Sequence, residues 1–292
     1  MTVFRGLEHV VRSNEPLAPF TWLRLGGPAQ YFAEPTTQDE LVQLVRRANE
    51  NGLTVRILGG GSNLLLKDEG VQGLVLHLTA ATFAKIERKG EVISAGGGAK
   101  LGHLISSAVR EGLAGLEDLA AIPGTVGGAL RGNAAAHSGE IGQWVSSAVM
   151  MTKSGDLVTR KREQLHFAHH YSNLDELVIL EADFDLEPGD PVALTKKMQE
   201  QWILQKAAQP HSEENCGRLF KDPGGSVAAE VIAAAGMRGV RCGDAQLSSR
   251  NANFVVVGSS ATSRDVAELM EQVRGGVKQR LGIELEPAID CW

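Results

Sequence analysis

The chain is poor in cysteine, in basic clusters and in long apolar runs, and each shortage excludes a class of protein. Its three cysteines, Cys216, Cys242 and Cys291, match no metal spacing, and their odd count suits a reducing cytoplasm better than a disulfide framework. No segment reaches the about 18 apolar residues of a membrane span. Residues 1–17 carry charges throughout and lack the apolar stretch of a secretory signal, so the expected location is cytoplasmic, with no membrane partner. A formal net charge of -6, with Lys and Arg dispersed, argues against a nucleic-acid surface. There is no internal repeat and no low-complexity tract. At 292 residues, the length suits two domains or three small ones.

Glycine is plentiful, with 34 residues, and its clustering is informative. The run Val55-Arg56-Ile57-Leu58-Gly59-Gly60-Gly61-Ser62-Asn63 ends a short apolar stretch in three residues without Cβ. Such a main chain can take positive φ and present N–H groups to an anion. The run fits a pyrophosphate clamp, and it also fits a hairpin turn. It is neither Gly-x-Gly-x-x-Gly nor a Walker loop: no Lys-Ser/Thr follows, and the residues after Asn63 have strand character. A second cluster, Gly96-Gly97-Gly98, follows a second strand, and residues 116–129 are too glycine-rich for a regular element. With Asn133-Ala134-Ala135-Ala136 beyond, this small-residue surface suits a large flat ligand or a close helix–strand seam.

Periodicity predicts a helix after Thr37, with Leu41, Leu44, Val45 and Ala48 on one face and a stop at Asn51-Gly52. Strands at 55–58 and 71–78 complete a βαββ-like unit over residues 1–79. Residues 80–206 hold a hairpin turning at Lys89-Gly90, a helix over 101–111, strands at 145–151, 157–159 and 177–186, and a helix over 192–206 with Leu194, Met198, Trp202 and Leu204 near one face. Residues 213–223 read as a polar loop. A small-residue helix (227–235), a strand (254–257) and a long helix capped by Ser263 make an α/β third unit over 207–282. The class is α+β.

Four stretches are more specific together than apart: GGGSNLLLKDEGVQGLVL from Gly59, AGGGAKLGHLISSAVREGLAGLEDLAAIPGTVGGALRGNAAA from Ala95, RLFKDPGGS from Arg218 and GIELEPAID from Gly282. In this combination, over roughly residues 21–289, the chain resembles the UDP-N-acetylenolpyruvoylglucosamine reductase (UDP-N-acetylmuramate dehydrogenase) family, in its shorter type II form. The resemblance implies an FAD-binding PCMH/vanillyl-alcohol-oxidase-type two-domain flavin fold, residues 1–79 and 80–206, plus a C-terminal α/β substrate domain, residues 207–282, with 283–292 returning to the second flavin subdomain. It implies cofactor contacts from Leu58, Gly59, Gly60, Gly61, Ser62, Asn63 and Leu64 around the pyrophosphate, and from Gly96, Ala121, Ile122, Pro123, Gly124, Thr125, Gly127, Gly128, Ala129, Asn133 and Ile179 along the rest. Substrate contacts fall to Lys221, Asp222, Gln246 and Ser248. FAD is the implied cofactor, NADPH the implied reductant of an active enzyme, and a nucleotide sugar of peptidoglycan precursor synthesis the implied small-molecule partner.

The implied reaction takes a hydride from NADPH through FAD to an enolpyruvyl double bond and delivers a proton to the neighbouring carbon, using an acid, an Arg and a Glu. The chain departs from the family pattern at all three places. Arg218, in Gly217-Arg218-Leu219-Phe220-Lys221-Asp222-Pro223, stands at the Ser of Gly-Ser-x-Phe-Lys-Asn-Pro, and an arginine keeps its proton near neutral pH. His170, in Phe167-Ala168-His169-His170-Tyr171-Ser172, stands at the Arg of Phe-x-Tyr-Arg-x-Ser, and Ala288 at the second Glu of Leu-Glu-Pro-Glu-Val. Asp222 replaces an Asn and adds a like charge where a diphosphate would lie. Cys216 and Glu286, each two residues from a vacated position, are candidate substitutes. His166, His169 and His170 lack a complete ligand pattern, and no metal is expected. Two expectations follow: a reductase, unchanged or with an altered substrate, and a non-catalytic flavin-binding or regulatory relative with a protein partner.

Overall fold

Helix α1, Gln38–Glu50, forms where the leucine periodicity places it, in a computed structural model that describes residues 2–136, 139–210 and 215–292. A capping box starts it: the Glu40 N–H donates to Thr37 Oγ1 at 3.2 Å, and the Glu40 carboxylate accepts from the Thr37 N–H at 3.1 Å. Leu41, Leu44, Val45 and Ala48 are fully buried and join Phe4, Leu7, Leu74 and Leu76 in one hydrophobic core. The adjoining sheet runs in the order Val11–Pro16, Pro28–Ala33, Val71–His77, Val55–Leu58, with the last two parallel. The first of these strands lacks a hydrophobic alternation, since Arg12-Ser13-Asn14-Glu15 is polar throughout.

A second core lies against a five-stranded sheet ordered Leu157–Lys161, Val145–Met151, Val178–Asp185, Val92–Gly96, Ile86–Lys89, all neighbours antiparallel. Helices α2, Leu101–Arg110, and α3, Val126–Arg131, pack on it. The expectation that 116–129 holds no regular element fails at its end: Thr125 caps α3 by accepting from the Gly128 N–H, and the glycines follow as helix. Helix α4, Pro191–Ala208, also differs from its expected face. Leu194 and Met198 reach the core, while Trp202 and Leu204 are exposed.

These two cores share one compact unit, Met1–Glu15, Gln30–Gly60 and Gln72–Leu204; the other unit is Pro16–Ala29, Gly61–Val71 and Gln205–Trp292. The second unit has its own core around α5, Ala228–Ala234, α6, Ser263–Leu281, and a sheet ordered Cys216–Arg218, Phe254–Val257, Ala245–Leu247, Arg241–Cys242. Part of the expected polar loop is thus a strand, held by pairing of Cys216 with Val256 and Arg218 with Phe254; Glu213 and Glu214 lie outside the described residues. The cap of α6 is Thr262, not Ser263: Thr262 accepts from the Asp265 N–H at 3.1 Å, and the Ser263 N–H instead donates to Asp68 Oδ1 at 2.9 Å. The C-terminal stretch also differs from expectation. Leu285 and Ile289 are buried in the second unit's core, and Asp290–Cys291 pairs in parallel with Leu64–Leu65, so 283–292 belongs there and not with 80–206. Among the described residues no helix is long and apolar enough to cross a membrane.

Candidate functional site

The first glycine cluster follows the strand Val55–Leu58, whose last residue, Leu58, is buried. Gly59 and Gly60 belong to the first unit, and Gly61, Ser62 and Asn63 to the second. Gly60 packs on Gly124, where an added Cβ would sit 2.8 Å from its Cα. Gly61 has φ 63°, and a Cβ there would meet the Phe20 carbonyl oxygen at 2.0 Å. No larger residue fits either place. Among the described residues, none of the main-chain N–H groups of Gly59, Gly60, Gly61, Ser62 and Asn63 donates to a protein acceptor. A run of unsatisfied donors on a turn is suited to an anion. The Asn63 side chain is engaged elsewhere, donating to the Ala288 carbonyl at 2.7 Å, and Leu64 is buried and paired with Asp290.

Protein packing accounts for much of the second cluster. A Cβ on Gly96 would meet the Phe83 oxygen at 2.2 Å, and one on Gly97 the Ile179 oxygen at 1.9 Å. Gly96 and Ile179 therefore act through main-chain packing in this structure. The Gly127 N–H donates to the Gly97 carbonyl and the Val126 N–H to the Ala99 carbonyl, each at 2.8 Å, which seats the start of α3 on the glycine turn. Ala121, Ile122, Pro123, Gly124 and Thr125 are half-buried, Gly128 is exposed, and Ala129 is buried. The N–H groups of Ala121, Gly124 and Thr125 have no acceptor among the described residues. Asn133 is fully buried at φ 43°. Its amide donates to Glu140 Oε2 at 2.7 Å and to the Ala168 carbonyl at 2.8 Å, and accepts from the Gly142 N–H at 3.0 Å. That side chain is spent inside the protein, so only its main chain is left for a ligand.

His170, in the first unit, stands at the tip of a hairpin pairing Phe167–Ala168 with Tyr171–Ser172, at φ 54° with its ring 4.1 Å from that of His169. The other positions lie in the second unit. Arg218 Nη2 donates to Asp222 Oδ2 at 2.8 Å, and Asp222 Oδ1 accepts from the Ala228 N–H at 2.8 Å, at the start of α5. The two departures in this loop are therefore partners of each other. Main-chain bonds from Lys221 to Glu286 (2.9 Å) and from Ala288 to Leu219 (2.8 Å) lay the C-terminal stretch beside the loop. This brings Lys221 Nζ to 3.5 Å from Glu286 Oε2, with both side chains exposed. Burial raises the Asp290 carboxyl above its ordinary range, against the pull of Lys221. Cys216 is buried. Gln246 bonds within its own hairpin, to Arg241 and the Gly239 carbonyl, and Ser248 Oγ accepts from the Arg250 N–H in a turn. Among the described residues no cluster of His, Cys, Asp or Glu could hold a metal.

Two family models match the chain: an FAD binding domain over residues 29–160, and the UDP-N-acetylenolpyruvoylglucosamine reductase C-terminal domain over 209–292. UDP-N-acetylenolpyruvoylglucosamine reductase 2 of Symbiobacterium thermophilum is 42% identical over 284 residues, covering 97% of this chain and 92% of the relative. The chain belongs to the UDP-N-acetylenolpyruvoylglucosamine reductase family. The crystal structure of the Thermus caldophilus reductase superposes with a TM-score of 0.82 at 31% identity, covering 97% of this chain and 99% of that one. 6-Hydroxy-D-nicotine oxidase of Arthrobacter nicotinovorans, at 13% identity and a TM-score of 0.53 over 96% of this chain and 86% of its own, shares the fold alone. The architecture is thus the FAD-binding PCMH-type flavin fold with the C-terminal domain of the reductase family.

Within the reductase family's C-terminal domain, Asn253 is of a residue type that can line a substrate or satisfy a turn. The structure shows it buried, with Oδ1 accepting from the Phe220 N–H at 2.9 Å and Nδ2 donating to the Phe220 carbonyl at 2.8 Å. It thereby fixes the main chain between Arg218 and Lys221. A lone Asn among turn-formers gives no signal of this bond, because its partner is 33 residues away.

Proposed function

We propose that the chain binds FAD through the Gly59–Asn63 turn and the 121–129 strip, and that its reduction of an enolpyruvyl nucleotide sugar is crippled or lost. The free N–H groups along both stretches support the cofactor part. When bound, FAD would supply hydride transfer, with NADPH as its reductant; the protein supplies binding and orientation. The proposed flavin subdomains 1–79 and 80–206 and substrate domain 207–282 do not follow the three cores: Met151, Val178 and Leu180 pack with α1, and Leu23, Leu25 and Leu65 pack in the C-terminal core.

The observation behind the second part is the Arg218–Asp222 pair. At the position where the family places a proton donor, this chain holds a permanently charged guanidinium tied at 2.8 Å to a carboxylate. The candidate substitute Cys216 is buried, and His170 and Ala288 offer neither a fixed positive charge nor a carboxylate. A second reading, an oxidoreductase with a changed substrate, draws on Glu286, which stands within 3.5 Å of Lys221 in the same loop region.

The purified protein should be yellow. After reduction by NADPH in a stopped-flow mixer, the flavin should reoxidise with UDP-N-acetylglucosamine enolpyruvate far more slowly than the roughly 1–1000 per second of ordinary enzymes. The double variant Arg218→Ser/Asp222→Asn should raise that rate. Fast reoxidation in the parent chain would refute the loss of activity.

A further inference from the structure

We propose that Lys197 is a positioning residue that holds the 121–129 strip in its ligand-binding arrangement; this rests on the flavin reading above. Lys197 projects from α4 and its Nζ donates to Glu117 Oε1 at 2.9 Å and to Asp118 Oδ2 at 3.0 Å. The two carboxylates are adjacent in sequence and only 6% and 11% exposed, whereas the lysine is 46% exposed. Burial lowers the lysine's pKa, but the hydrogen bonds and charges of Glu117 and Asp118 outweigh it and raise the net value. Glu117 Oε2 also accepts from the Gly115 N–H at 2.6 Å, so the acid is fixed on both oxygens. Asp118 Oδ1 is buried with no hydrogen-bond partner among the described residues.

One ammonium thus bridges two neighbouring buried acids at the upstream end of the strip and offsets part of their negative charge. The downstream end is held by main-chain bonds from Leu101 to Gly124 at 3.0 Å and from Val126 to Ala99 at 2.8 Å, and by the Thr125 cap of α3. Between these anchors Ala121, Gly124 and Thr125 present their N–H groups. Without Lys197 the two carboxylates would repel each other in poor solvent, and the upstream anchor would release.

The test compares Lys197→Met, Lys197→Arg and Lys197→Met/Asp118→Asn with Val45→Ala, a core truncation in the same unit, by FAD titration, flavin visible absorption and thermal unfolding. Lys197→Met is expected to weaken FAD binding by on the order of tenfold and to shift the flavin absorption band. Lys197→Arg should bind like the parent, the double variant should regain much of the loss, and Val45→Ala should destabilise without moving either flavin readout. If Lys197→Met does not fold, Lys197→Gln takes its place with the same readouts. Parent-like binding by the Met variant, or an equal loss in Val45→Ala, overturns the role of Lys197. A parent chain that takes up no FAD sinks the flavin reading itself.

Discussion

Asn133 shows how one side chain can look like a ligand contact and serve the fold. Replacing it with alanine removes an amide with three protein partners and leaves at φ 43° a residue that tolerates the left-handed region less well than asparagine. Asn133→Ala is expected to cost about 2–4 kcal/mol in urea unfolding, and Asn133→Gly to recover at most about 1 kcal/mol of that, because glycine relieves the backbone but not the lost bonds. The exposed Arg218–Asp222 pair belongs to a weaker class. Arg218→Ser should cost under about 1 kcal/mol, since an exposed ion pair is screened and its partner still accepts from the Ala228 N–H. A larger loss would mean that the guanidinium supports the loop through packing.

Among the elements, α1 carries a pH-dependent cap. The hydrogen bond from His9, with further bonds from Thr36 and Thr37, lowers the Glu40 carboxyl from its ordinary 4.5 to about 2. A depressed folded pKa means that this stability is present above about 4.5 and lost as pH falls towards 2. Thermal midpoints measured across that window should decline less steeply in Glu40→Gln than in the parent. The helices and turns also separate two kinds of glycine. Gly102, inside α2, has open space where a Cβ would go, so Gly102→Ala should stabilise by about 0.5–1 kcal/mol. Gly97→Ala should cost more than about 3 kcal/mol, because its Cβ would lie 1.9 Å from the Ile179 oxygen. Equal effects of the two substitutions would contradict the packing described for the turn.

For the whole molecule, FAD binding should raise the thermal midpoint with ligand concentration, by about 2.7 kcal/mol of stability when free FAD is 100-fold above its dissociation constant. An unchanged midpoint at saturating FAD would count against the cofactor site. The local elements were largely legible in the sequence. Thr37 with Glu40, the apolar spacing of 41–48 and the Lys89-Gly90 turn act over short range, and short-range rules suffice to read them. The glycine clusters were legible as places of close approach but not as to what approaches: Gly97 meets a carbonyl of its own chain, while the turn at Gly59–Asn63 leaves its N–H groups free. The strand Cys216–Arg218, the return of 283–292 to the second unit and the bond from Asn253 to Phe220 all depend on partners distant in sequence, and no periodicity records them.

The amino-acid sequence alone determined the family, the flavin fold and the identity of Arg218, His170 and Ala288, because these depend on which residues occur and in what order. Only the tertiary structure decided that Arg218 is tied to Asp222, that the Asn133 amide is consumed internally and that Lys197 bridges Glu117 and Asp118. Hydrogen bonds and ion pairs act over a few ångströms of space, and folding alone sets which side chains come that close.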